Sequence, residues 1–175
     1  MNKFSTLQPG HWGLVSLSRC EQREHMIACI ATLALDESVV VLDGGMLFNV
    51  YRVIMTSNGK THILNRIRFA RAFTCYQMVA LLERTLAEGA YLVILDLLST
   101  FQDENVPTSE RIRLLKTCLP HLKRLSQARG ALVSVGLPEK MTPESQLLFH
   151  LLAEAATQVY KYQMPAIAEK AAGLF

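Results

Sequence analysis

Four short apolar runs punctuate the chain, and between them apolar residues recur at helical spacing. The strongest run is Tyr91-Leu92-Val93-Ile94-Leu95, which ends in Asp96. A continuous apolar stretch of this length marks a strand buried on both faces of a parallel sheet, because neither face meets water. Gly13-Leu14-Val15-Ser16-Leu17, Val39-Val40-Val41-Leu42-Asp43 and Ala131-Leu132-Val133-Ser134-Val135 read the same way. Residues 63–69 alternate in part and predict a further strand, and residues 158–162 a last one. Ser18-Arg19-Cys20-Glu21 and Thr74 with Gln77 have the form of capping boxes, so helices are expected to open there. The first carries Met26, Ile27, Ile30, Ala31 and Ala34 on one face. The second carries Met78, Val79, Leu81, Leu82 and Leu86, and Gly89 is expected to close it. A short helix is expected over 48–55. A long one is expected over 109–128, with Ile112, Leu115, Leu119 and Leu122 inward and Pro120 kinking or breaking it. Thr142-Pro143 caps a final helix through 147–156. Strands alternating with helices predict an α/β fold, a mostly parallel central sheet with helices on both faces. The chain reads as a single domain over 1–175, with 1–12 a lead-in and 166–175 a C-terminal tail.

Composition narrows the class without naming a function. Half of the 175 residues are hydrophobic and 19% are charged, a globular balance. No apolar run approaches the length of a membrane span, and the first residues lack the apolar core of a signal peptide. The expected compartment is the cytoplasm, or the nucleus in a eukaryote, with no membrane partner. The four cysteines are scattered singly, so neither a zinc site nor a redox pair is indicated, and no metal is expected. Three of them fall among apolar helical neighbours and read as buried thiols. A net charge of +3 is compatible with nucleic acid but does not demand it.

The candidate chemistry lies where the strands end. In open α/β sheets ligands bind beyond the C-terminal strand ends, and there nucleoside triphosphatases place a carboxylate on Mg²⁺. Asp43 and Asp96 both occupy such positions; the alternative is that each merely ends a strand and caps a turn. A phosphate loop, G-x-x-x-x-G-K-[ST], would have to come directly after the first strand. The eight residues after Leu17 are Ser18-Arg19-Cys20-Glu21-Gln22-Arg23-Glu24-His25. Both glycines are missing. Glu24 stands in place of the lysine and would repel a triphosphate, and His25 stands in place of the Mg²⁺-binding hydroxyl. Ser18 reads as an ordinary helix cap.

The order of these elements resembles the ATPase core of RecA-type recombinases, especially the archaeal and eukaryotic strand-exchange proteins and their paralogs. Residues 39–48 are similar to that family's strand ending in Asp-Thr-Glu and a phenylalanine. Residues 67–74 resemble its strand leading into an Arg-Ala-aromatic turn. Residues 92–101 resemble its Walker B strand with a Ser-x-x-Ala-Leu-Phe-like continuation. Residues 111–135 resemble the helix and strand before its second DNA-binding loop. The resemblance implies a RecA-like, P-loop-type three-layer fold over about residues 10–165. It also exposes the departures: Gly45 stands where the family has its water-activating glutamate, and only Asp96 remains of the nucleotide machinery. Ser18, Glu24, His25, Asp43, Gly45 and Asp96 are therefore remnant positions. No catalytic residue, nucleotide or other cofactor is expected.

Other features admit a binding role. Arg113, Lys116, Lys123 and Arg124 share one stripe of the long helix and could track a phosphate backbone, or form a solvated face. Lys140 sits in the place of the second DNA loop, beside Glu139, and Gln102-Asp103-Glu104-Asn105 is acidic. Arg66, Arg68 and Arg71 either form a basic patch or pack on carboxylates. Trp12 either stacks on a base or covers the sheet edge. His62, His121 and His150 read as structural, and the apolar end of the tail either docks into a neighbouring subunit or packs on its own core. The resemblance implies a non-catalytic paralog acting in recombination and DNA repair. Its partners would be a recombinase or paralog subunit, a second copy of the chain, or single-stranded DNA. The alternatives are an ATPase with an unorthodox loop, holding Mg²⁺ on Asp43 and Asp96, or an assembly protein unrelated to DNA.

Overall fold

The computed structural model describes residues 7–86 and 88–161. Six strands form one sheet in the order β3-β2-β4-β5-β1-β6, every neighbouring pair parallel. They are β1 (Trp12–Ser18), β2 (Val39–Asp43), β3 (Ile67–Arg71), β4 (Tyr91–Leu95), β5 (Ala131–Leu137) and β6 (Gln158–Lys161). The helices are α1 (Arg19–Leu33), α2 (Val50–Thr56), α3 (Cys75–Arg84), α4 (Thr108–Ser126) and α5 (Pro143–Ala155). The fold class is the expected α/β one. No helix among the described residues is long and apolar enough to cross a membrane.

Successive strand residues point to opposite faces, so each apolar run supplies two cores. Val15, Leu17, Val39, Val41, Val93 and Leu95 meet α1 and α2 through Met26, Ile27, Ile30 and Val53. Leu14, Val40, Leu42, Leu92, Ile94 and Val133 meet α3, α4 and α5 through Met78, Leu82, Leu115, Leu122 and Leu152. Leu92, Val93, Ile94 and Leu95 are each 0% exposed. Burying each contributes about 1.5–3 kcal/mol, and β4 anchors the sheet. Because all the strands run parallel, their C-terminal ends share one rim, carrying Ser18, Asp43, Arg71, Asp96 and Leu137.

Several boundaries differ from the sequence expectation. Residues 63–69 are two elements: a 3-10 turn over Thr61–Arg66 that buries Ile63, then β3. The short helix begins at Val50, with Asn49 accepting from the Arg52 N–H at 3.1 Å. Helix α3 ends at Arg84, so Gly89 does not cap it; Gly89 takes φ +63° in the turn before β4. Pro120 does not break α4, which runs on from Thr108 to Ser126. Proline removes only the bond to the Lys116 carbonyl, on an exposed stretch, while Cys118 and Leu122 hold the same turns in the core. Trp12 is buried in β1, an interior strand, and covers no edge. The 166–175 tail, and Tyr162 at the end of the expected last strand, lie outside the described residues.

Candidate functional site

The rim is built first by the junction of β1 and α1. Ser18 is the last residue of the strand and Arg19 the first of the helix, with nothing between them. The Ser18 hydroxyl donates to the Glu21 carboxylate and makes no cap bond to a backbone N–H. The expected capping box is thus replaced by a bond between its own two side chains. Glu24 and His25 fall in the second turn of α1 rather than around a loop. Glu24 is exposed, 3.7 Å from Arg52. One turn earlier, buried Gln22 donates from Nε2 to the Ser134 hydroxyl on β5 at 2.8 Å.

Asp43, fully buried at the end of β2, has both oxygens committed. Oδ1 accepts from the N–H groups of Gly45 and Leu47, each at 3.1 Å. Oδ2 accepts from the Phe48 N–H at 2.9 Å and from Arg71 Nε and Nη2 at 3.2 and 2.9 Å. The carboxylate therefore folds the turn after β2 and ties it to β3. Arg71 also donates to the Phe48 carbonyl and lies over the Phe69 ring, which stacks on Phe48 at 4.5 Å. An ion pair 28 residues apart is one no local pattern shows.

Asp96 adopts left-handed backbone, φ 49° and ψ 61°, a conformation aspartate tolerates better than most residues. Its N–H donates to the Ser134 hydroxyl at 3.0 Å, and its Oδ1 accepts from the Gly136 N–H at 3.1 Å. Burial pushes its carboxyl above the ordinary aspartate value. The Gly136 N–H, the Arg19 charge and the Gln22 side chain pull it partly back, and Asp43 pushes it further up. Gly45 is where it is for steric reasons: a Cβ there would lie 2.6 Å from Asp96 Cβ. Gly44 has the same constraint, 2.8 Å from the Asp96 carbonyl oxygen. Gln22, Ser134, Asp96 and Gly136 thus close the crevice between the ends of β1, β5 and β4. Among the described residues no group of three or more His, Cys, Asp or Glu could hold a metal ion.

The basic stripe of α4 is partly spent. Arg113 forks onto Glu110 at 2.6 and 2.7 Å, which holds that carboxyl below its usual range. Arg124 donates to the Leu82 and Thr85 carbonyls, closing the end of α3. Lys116 and Lys123 stand exposed, as does Lys140 before α5. The three arginines around β3 divide: Arg71 holds Asp43, Arg66 donates to the Ala34 and Leu35 carbonyls after α1, and Arg68 is exposed. Among the described residues, no strand pairs with the outer side of β3. Beside it, Arg68, Phe69, Arg84 and Leu86 line a cavity of about 280 Å³ above Val40 and Leu42. Phe69 and Phe73 are 44% and 63% exposed along this edge.

No protein-family model and no curated protein matches the chain. Among solved structures it is similar to the crystal structure of the RadB recombinase, at a TM-score of 0.59 and 12% sequence identity. The match covers 89% of this chain and 75% of that one. At such an identity the likeness speaks for architecture and not for activity, and the architecture is the RecA-like recombinase fold.

Proposed function

We propose that the chain is a non-catalytic RecA-like paralog. It serves as an accessory or scaffold in homologous recombination and DNA repair by binding a recombinase or paralog subunit. One observation carries the reading: β1 enters α1 without an intervening residue, and Gln22 packs over Gly136 and Asp96 where a phosphate loop would need room. Asp43, the other carboxylate an ATPase reading would place on Mg²⁺, already accepts five hydrogen bonds. Among the described residues, β3 has a strand on one side only, and that edge is the surface this reading assigns to a partner. An unpaired strand edge beside an apolar groove recognises an extended segment of another chain by main-chain hydrogen bonds and side-chain pockets.

The test has two arms. The purified chain is assayed for Mg²⁺-dependent ATP hydrolysis beside Asp96→Ala, and it is mixed with the recombinase of its own source, with and without Phe69→Glu. The expected result is no hydrolysis and a complex that Phe69→Glu weakens. Hydrolysis by the wild-type chain that Asp96→Ala abolishes overturns the reading.

A further inference from the structure

A cationic concavity lies between α1 and α2, beside the strand-end crevice and joined to it through Arg19. Arg19, Cys20, Arg23 and Glu24 on the first turns of α1, with Leu47 and Arg52, enclose about 260 Å³. Three guanidinium groups meet one carboxylate there. Their existing ties are weak. Arg52 is 3.7 Å from Glu24, beyond hydrogen-bond range, and both side chains are largely exposed. Arg23 donates to the Met46 carbonyl at 3.4 Å. Arg19 has Asp96 as an electrostatic partner. The three arginines line one cavity, and their combined charge raises the local concentration of anions. A second cavity of about 360 Å³ shares Glu24 and Arg52 and continues along Ile27, Met55 and Thr56. The groove is thus cationic at one end and apolar at the other.

We propose that this α1–α2 groove binds a phosphate-bearing ligand, its phosphate oxygens held by Arg19, Arg23 and Arg52 and its organic body lying toward Ile27 and Met55. Phosphate fits better than carboxylate because positive charge stays in excess after Glu24 and Arg19's partner Asp96 are both counted. Guanidinium forks also match phosphate geometry bidentately. The ligand is held by side chains, and Asp43, Gly45 and Asp96 take no part in lining the groove. The inference therefore stands apart from the scaffold reading. Two sources share this chemistry: a small phosphoester and the backbone of a single-stranded nucleic acid.

Cys20 supplies a local reporter, since it lines the cavity and is exposed while Cys29, Cys75 and Cys118 are buried. The full chain is treated with an uncharged maleimide in the presence of inorganic pyrophosphate or of labelled oligothymidine, whose anisotropy is measured in parallel. Either probe is expected to slow Cys20 modification. Arg19→Gln/Arg23→Gln/Arg52→Gln is expected to lose that protection and at least about tenfold in affinity, since charge-assisted contacts are removed. For oligothymidine the slope of log affinity against log salt should flatten by about two, at about 0.7 per lost phosphate contact. Protection by pyrophosphate assigns a small ligand, and protection by the strand alone assigns a nucleic-acid backbone. If the triple variant melts early, Arg23→Glu replaces it, and the same loss is required of it. The proposal fails if neither probe protects Cys20 at low salt, or if the variant binds as wild type does.

Discussion

Replacing Asp43 by alanine separates a structural carboxylate from a metal ligand in waiting. The side chain is 0% exposed and accepts from three backbone N–H groups and twice from Arg71. Truncation strips the turn over residues 45–48 of its acceptor and leaves the Arg71 guanidinium, whose side chain is 27% exposed, without its counter-ion. Breaking a buried pair by removing one partner costs about 3–5 kcal/mol. For a chain of this size each kcal/mol moves the melting temperature by about 2–4 °C, so Asp43→Ala should melt roughly 6–20 °C below wild type. Asp43→Asn keeps one acceptor oxygen and should fall between the two. Arg71→Met should cost less than Asp43→Ala, because Asp43 keeps its three N–H donors. The double variant should cost less than the sum of the singles, as expected for residues in direct contact. The assay is urea and thermal denaturation, with and without Mg²⁺. A metal-binding Asp43 behaves oppositely: its removal relieves repulsion with Asp96 in the metal-free protein and abolishes stabilisation by Mg²⁺. Asp43→Ala within about 1 kcal/mol of wild type, a small share of what a broken buried pair costs, would refute the structural account.

The same rim and the buried thiols give three shorter tests. Gly45→Ala should cost about 1–3 kcal/mol, because its Cβ meets the Asp96 Cβ at 2.6 Å and neither atom can rotate away; an unchanged denaturation midpoint would contradict the geometry. The raised Asp96 carboxyl binds a proton more readily folded than unfolded, so the charge at neutral pH lowers stability, and stability is regained as pH falls toward the ordinary value of 3.8. Asp96→Asn, which keeps the left-handed backbone and the acceptor for Gly136, should therefore melt at or above wild type at pH 7. That margin should close on acidification, and a margin that grows would reverse the sign. Burial pushes the Cys29 and Cys118 thiols up to about 12 and Cys75 upward as well, so mass spectrometry of the alkylated native protein should find Cys20 modified first, and all four only after unfolding.

The strands that bury both faces were legible because their apolar runs are continuous, and β4 with Asp96 at its end was the plainest of them. Strand β3 was legible in part, its expected start falling too early, because the 3-10 turn before it buries Ile63 at a spacing that imitates alternation, and at the sheet's edge Arg68 and Phe69 meet solvent. Pro120 does not break α4, as local propensity alone would suggest, because α4 is held by core contacts on its far side. Asp43 and Asp96 were placed correctly at strand ends, but the bonds each makes were not visible. The Asp43–Arg71 pair and the Gln22–Ser134 bond join residues 28 and 112 apart. Gln22 itself is a polar side chain on a buried helix face, where a pattern of apolar spacing has nothing to register. The arginine groove had one readable sign, Arg19 and Arg23 one helical turn apart, and lacked the third member until α2 brought Arg52 across.

The parts that close the crevice depend on one another, and that bears on whether a phosphate site could be built there by point substitution. The absence of a side chain on Gly45 lets Asp96 approach β2. Asp96 can then accept from Gly136, and the bare Gly136 lets Gln22 pack over it and reach Ser134. Gln22 lies on the same helix as Met26, Ile27 and Ile30, which fill the core against β1, β2 and β4. A phosphate loop would have to be inserted between Ser18 and Arg19, drawing Gln22 out and displacing that apolar face, each side chain of which contributes about 1.5–3 kcal/mol. Gly45→Glu cannot supply a general base where even a methyl group collides with Asp96. Glu24→Lys and His25→Thr place their side chains in the second turn of a helix, away from any backbone N–H cradle. The combined variant Glu24→Lys/His25→Thr/Gly45→Glu should therefore hydrolyse no ATP and should unfold earlier than wild type. Mg²⁺-dependent hydrolysis by that variant, with melting preserved, would mean that the crevice opens and that Gln22 is a gate rather than a plug.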